Sequence, residues 1–129
     1  MLDAGLAFTR LPAGKPHVLG VQVHDGRDDI GTLRLEGSQF WITHRNHSHR
    51  GLVRAGHRLG TRRRLRFVVQ HDEVAVLVDS QLVAIVDDAF DGGYFKTGTY
   101  VQANCSSPSP CSATNVGSVL VHALAVKHT

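Results

Sequence analysis

The sequence contains no run of roughly 18 apolar residues, the length a membrane-spanning helix requires, so no such helix is expected. Its first residues, Met1 to Arg10, include Asp3 and no continuous apolar stretch, and they do not read as a signal peptide. It also lacks a Gly-rich phosphate loop, a Gly-x-Ser-x-Gly nucleophile elbow and a spaced carboxylate pair. These absences argue against nucleotide-phosphate binding, serine hydrolysis and glycoside hydrolysis, the last of which needs two acids. The most obvious acids, Asp28-Asp29 and Asp87-Asp88, fall in turns. No segment shows apolar spacing of three and four, so helices are not expected. With only two cysteines, a cysteine zinc cage is excluded.

What is present is an ordinary globular composition, 42% hydrophobic and 19% charged, in a chain of 129 residues that fits a single domain. Turn residues punctuate it every ten residues or so, and the stretches between favour strands. Leu6 to Leu11, Val18 to His24, Thr32 to Glu36, Gln39 to Thr43, Leu65 to Gln70, Val74 to Val78, Leu82 to Val86, Tyr94 to Gln102 and Val116 to Lys127 form the set. Asp25 to Asp29 reads as a turn. The pattern predicts an all-β antiparallel sandwich or barrel. The strand count is low for a closed sandwich, and Leu6 to Leu11 begins without a lead-in. The chain therefore reads as the later part of a larger, N-terminally incomplete sandwich domain.

Charge is unevenly placed. The net charge is +3, and Arg45 to Arg66 holds eight arginines and no acid. Such a run reads either as a solvated outer sheet face or as a surface for a polyanion. Arg62-Arg63-Arg64 has no interleaved aromatics for base stacking, so no nucleic-acid partner is expected. His44, His47 and His49 invite a metal reading, but flanking arginines repel a cation and no acid or cysteine lies among them; no metal site is expected. Cys105 and Cys111 bracket a Ser- and Pro-rich loop, Ser-Ser-Pro-Ser-Pro. Either they form a local disulfide, worth about 2 kcal/mol in the chain-entropy model, or they stay reduced.

Strand geometry makes two segments informative, because successive side chains point to opposite faces. Tyr94, Lys96, Gly98, Tyr100, Gln102 and Asn104 share one face; Phe95, Thr97, Thr99, Val101 and Ala103 share the other. A row of phenols, an ammonium and carboxamides suits a saccharide platform, while the plainer reading is a half-buried strand with exposed tyrosines. Likewise Gln22 and His24 oppose Val21 and Val23, and Thr32, Arg34 and Glu36 oppose Leu33 and Leu35.

The run Tyr94-Phe95-Lys96-Thr97-Gly98-Thr99-Tyr100-Val101-Gln102 resembles the Tyr-Phe-Lys-Ala-Gly-x-Tyr-x-Gln signature of the polysaccharide lyase family 7 alginate lyases. Thr97 in place of Ala is the one departure within it. Gln22-Val23-His24 is similar to that family's Gln-Ile/Val-His motif, and the likeness runs through nearly the whole chain. The resemblance implies a β-jelly roll with a concave groove for an acidic polysaccharide such as alginate. It implies a secreted enzyme without cofactor that cleaves 1,4-linked uronates by β-elimination. Tyr100 would be the catalytic phenol, His24 base or partner, and Gln22 the carboxylate ligand. Lys96, Gln102 and Tyr94 would bind substrate. The valine of Gln22-Val23-His24 points to mannuronate-rich polymers. An earlier Arg-Ser/Thr-Glu strand of the family has no counterpart here, which makes Arg34 the candidate replacement cation. The alternatives are a non-catalytic carbohydrate-binding jelly roll and a basic nucleic-acid binder.

Overall fold

The computed structural model describes residues 1–45, 48–90, 92–101 and 113–128. Among them are ten strands and no helix: β1 (Leu2–Arg10), β2 (His17–His24), β3 (Asp29–Glu36), β4 (Gln39–His44), β5 (Ser48–Arg54), β6 (Arg63–Gln70), β7 (Glu73–Val78), β8 (Gln81–Asp87), β9 (Tyr94–Val101) and β10 (Ser118–Val126). They form two five-stranded antiparallel sheets, ordered β10-β1-β6-β7-β8 and β5-β4-β3-β2-β9. One more strand is present than the pattern predicts, and the two five-stranded sheets close over one core. β5 had escaped notice because its sequence, Ser-His-Arg-Gly-Leu-Val-Arg, carries polar residues where a strand pattern calls for apolar ones.

Alternation along each strand builds the core. Leu2, Ala4, Leu6 and Phe8 of β1 face Val18, Val21 and Val23 of β2, Leu33 and Leu35 of β3, and Phe40 and Ile42 of β4. Phe8 and Phe40 meet edge to face at 5.3 Å between centroids. Each fully buried phenylalanine contributes about 1.5–3 kcal/mol through removal of apolar area from water. The β6–β7 and β7–β8 hairpins turn on His71-Asp72 and Asp79-Ser80, both pairs left-handed, the conformation that matches strand twist in a two-residue turn.

Three arginines of the run are neutralised on the outer sheet, β10-β1-β6-β7-β8. Asp3 sits between Arg64 and Arg66, whose guanidinium hydrogen bonds hold its carboxyl well below the usual carboxylate range. Arg63 pairs with Asp79 at 2.8 Å. Of the two readings of this run, the solvated sheet face accounts for these residues.

β9 and β10 end the two sheets on the same flank, with the inward-turned Leu124 and Val126 half exposed there. At the base of β4, His57 is buried against Phe40, 4.2 Å between centroids, and neither ring nitrogen finds a partner among the described residues. Burial, followed by the Arg63 and Arg54 charges, pushes its pKa down to about 4. The unfolded chain takes up a proton near pH 6.5 that the folded ring refuses. Stability is therefore full above about 6.5 and falls as the pH drops toward 4. In urea titrations the chain should lose on the order of 2 kcal/mol across this window through His57, and His57→Phe should flatten that slope.

Candidate functional site

Glycine makes the site possible. Gly20 is an extra residue in β2: Leu19 pairs with Arg34 while Val21 pairs with Leu33, so one residue of β2 has no partner on β3. Such a bulge breaks the two-residue alternation. Downstream of it, Gln22 and His24 point away from the core; upstream, Leu19 and His17 now do the same, while Val18 and Val21 point inward. A Cβ at position 20 would lie 2.6 Å from Phe8 Cζ. Only glycine lets the bulged backbone rest on that ring. The Gly20 carbonyl accepts a hydrogen bond from Thr97 Oγ1 at 3.1 Å, so the residue that departs from the signature supports the bulge across the strand pair.

β9 runs beside β2 with Gln22 opposite Lys96, His24 opposite Tyr94 and Leu19 opposite Tyr100. Opposed residues share a face, so Gln22, His24, Tyr94, Lys96 and Tyr100 gather on the outer surface of this sheet, as the alternation predicts. Two adjoining hollows sit there. One, of about 410 Å³, is lined by Leu19, Gln22, Lys96, Gly98 and Tyr100 among others. The other, of about 250 Å³, adds His24, Asp28 and Asp29. Gln22 is nearly buried, whereas Tyr100 stands 62% exposed on the same face.

The His24 ring is held from two sides. Its Nδ1 lies 2.5 Å from the Asp25 carbonyl oxygen, and the Tyr94 hydroxyl lies 3.3 Å from the same nitrogen. A carbonyl only accepts, so Nδ1 carries the proton and the neutral ring keeps its lone pair on Nε2. Asp25 is itself fixed by Arg27 and Asp28 backbone N–H groups donating to its Oδ1, and these bonds keep its carboxylate ionised. Lys96 Nζ lies 5.3 Å from the Tyr94 ring centroid, within cation–π range. Asp28 is held below the ordinary carboxylate range, first by side-chain and then by backbone hydrogen bonding with Asp29.

Arg34 shares this face but not these hollows. Its Nε is 2.9 Å from Glu36 Oε1 and its Nη2 donates to His17 Nδ1 at 2.7 Å, with the side chain almost wholly buried. Gln102, Cys105 and Cys111 lie outside the described residues, as does His47. His44 bonds Asp88 at 2.8 Å and His49 bonds Glu36 at 3.0 Å. Among the described residues no three metal-capable side chains cluster. Sequence reasoning missed Leu19, Gly20 and Asp29 as parts of the site. The available signal was an isolated glycine within a valine-rich strand, the mark of a bulge.

Two outcomes follow. Gly20→Ala should lower stability by about 1–3 kcal/mol in urea unfolding, because Phe8 is fully buried and must shift to admit the methyl group. In long-range ¹⁵N–¹H correlation spectra the neutral His24 ring should show the Nδ1–H tautomer; the Nε2–H form would contradict the Asp25 contact.

Comparison with known proteins fits this geometry. A family model described as Alginate lyase matches residues 1–128. The crystal structure of the alginate lyase from Corynebacterium sp. superposes with a TM-score of 0.94 at 40% identity, over 99% of this chain and 57% of that one. AlgAT5, an alginate lyase of polysaccharide lyase family 7, gives 0.91 at 27% identity, over 99% and 58%. The marine alginate lyase AlyA1 from Zobellia galactanivorans shares the fold, with a TM-score of 0.80 at 17% identity over 99% and 61%. No curated protein matches. The chain thus spans less than two thirds of the length of these relatives. Its two five-stranded sheets form the jelly-roll sandwich of these structures, and the chain belongs to the alginate lyase family.

Proposed function

We propose that the chain carries the catalytic face of a lyase that cleaves a 1,4-linked polyuronate by β-elimination. The observation behind this reading is the convergence of Gln22, His24, Lys96 and Tyr100 on two adjoining hollows of one sheet face. The reaction removes the C5 proton and breaks the C4–O4 bond, whose electron pair leaves with O4. A C4=C5 double bond remains, and one proton is delivered to O4. The C5 proton becomes removable only when the adjacent carboxylate is neutralised. Gln22 would donate its amide N–H to that carboxylate, and Lys96 opposite it supplies positive charge. His24, with its Nε2 lone pair, serves as base, and the Tyr100 phenol protonates O4. For one C5 epimer Tyr100, its own proton first passed to His24, takes the C5 proton and hands it on to O4. Arg34, neutralised by Glu36, contributes less than a free cation would, and Lys96 carries the electrostatic load.

The substrate class is an acidic polysaccharide, alginate with a preference for mannuronate-rich stretches, met outside the cell. Cys105 and Cys111 would close a local disulfide in that oxidising setting, and Gln102 would extend the row of β9 along a further subsite.

Incubation with polymannuronate, polyguluronate and glucuronan, followed by ultraviolet absorbance of the unsaturated product, tests the reading. Product from at least the first is expected, and Tyr100→Phe should slow its formation roughly 10²–10⁴-fold. Binding of the polymers without product would instead support a carbohydrate-binding jelly roll. A Tyr100→Phe variant as fast as its parent would remove that phenol from the mechanism.

A further inference from the structure

The outer face of the inner-groove sheet does not end at the two hollows. Directly opposed residues continue across it from Tyr100 on β9 through Leu19 on β2 and Arg34 on β3 to Trp41 on β4. At roughly 4.8 Å per strand, Trp41 stands about 14 Å from Tyr100. Leu19 and Arg34 on this row, and Thr32 and Thr43 beside it, are buried. At its far end the side chains form an assembled cluster. His49 stacks flat on Trp41, 4.1 Å between centroids and 7° between planes. Glu36 Oε1 receives His49 Nε2 at 3.0 Å and lies 2.9 Å from Arg34 Nε, and Arg34 in turn holds His17.

We propose that the stacked Trp41–His49 pair is a distal subsite for a further sugar unit of the same polyuronate chain. The inference rests on the lyase reading of the groove. An aromatic face suits the C–H side of a pyranose ring, and the His49 side chain is 40% exposed above the indole. Glu36 and Arg34 cancel each other's charge beneath it, so the platform does not repel a uronate carboxylate. The stack and the Glu36 bond fix the ring beforehand, which lowers the ordering cost of binding. Binding energy collected here, remote from the reacting bond, is available to orient the sugar at Tyr100.

Trp41 is the single tryptophan of the chain, so its emission reports on this place alone. In a Tyr100→Phe background, which spares the ligand, an oligouronate trimer and hexamer are titrated by calorimetry and by fluorescence. The hexamer should change Trp41 emission with the same midpoint as its heat. His49→Ala should lower the ratio of hexamer to trimer affinity about fivefold, and His49→Phe, which keeps a stacking ring, should restore it. Hexamer heat with silent emission, or an unchanged affinity ratio in His49→Ala, overturns the subsite and leaves the lyase reading standing. Binding of neither oligomer overturns both.

Discussion

The bulge at Gly20, resting on the ring of Phe8, is the contact on which the site depends. A regular β2 would set the residues before and after this point in one alternation. With Gln22 and His24 outward, Leu19 would then turn into the core and Val18 out of it. The inserted residue lets Val18, Val21 and Val23 all bury while His17, Leu19, Gln22 and His24 all face the groove. Core packing and site assembly are thus satisfied by one backbone irregularity. Phe8, pinned by Phe40, supplies the surface on which it rests, and the Thr97 hydroxyl takes up the carbonyl it frees. An unpaired carbonyl there would cost on the order of 1–3 kcal/mol if closed off from water.

Charge is partitioned between the two sheets in a way the arginine count conceals. On the outer sheet the cations are met by Asp3 and Asp79; at the sandwich end Arg45 bridges Asp25 and Asp88. The groove face carries Lys96, the Arg34–Glu36 pair and the Asp28 and Asp29 carboxylates that line one hollow. Lys96 stands against the Tyr94 ring, and Arg34 is spent on Glu36. On the proposed reading, Lys96 opposite Gln22 meets the carboxylate that must be recognised and neutralised as a carbanion develops beside it. Paired charges at an exposed surface contribute little to binding or stability, so eight arginines spread from Arg45 to Arg66 are a weaker guide than one lysine opposite one glutamine.

Much of this was legible in the chain itself. Valine-rich alternation placed Gln22 and His24 on one face, and the Tyr94–Tyr100 row shows the same period without interruption through Gly98. What escaped reading had physical reasons. β5 is recognisable only by its pairing with β4, since Leu52 and Val53 adjoin each other among Ser, Gly, His and Arg and show no alternation. The shared face of β2 and β9 joins residues 70 or more positions apart, a register no local pattern encodes. Arg34 was placed on the correct face, but its engagement with Glu36 and His17 depends on side chains from two strands. The tautomer of His24 follows from the Asp25 carbonyl, a backbone group that leaves no mark in the sequence.

The central claim is that the polyanion meets the β2–β9 face rather than the arginine-rich outer sheet. Mapping amide chemical shifts during titration with a non-cleavable oligouronate tests it most directly. The account predicts saturable shifts at Gly20, Gln22, His24, Lys96 and Tyr100, with little change around Arg62 to Arg66. Shifts confined to Asp3, Asp79 and the Arg62–Arg66 stretch, leaving β2 and β9 untouched, would contradict it.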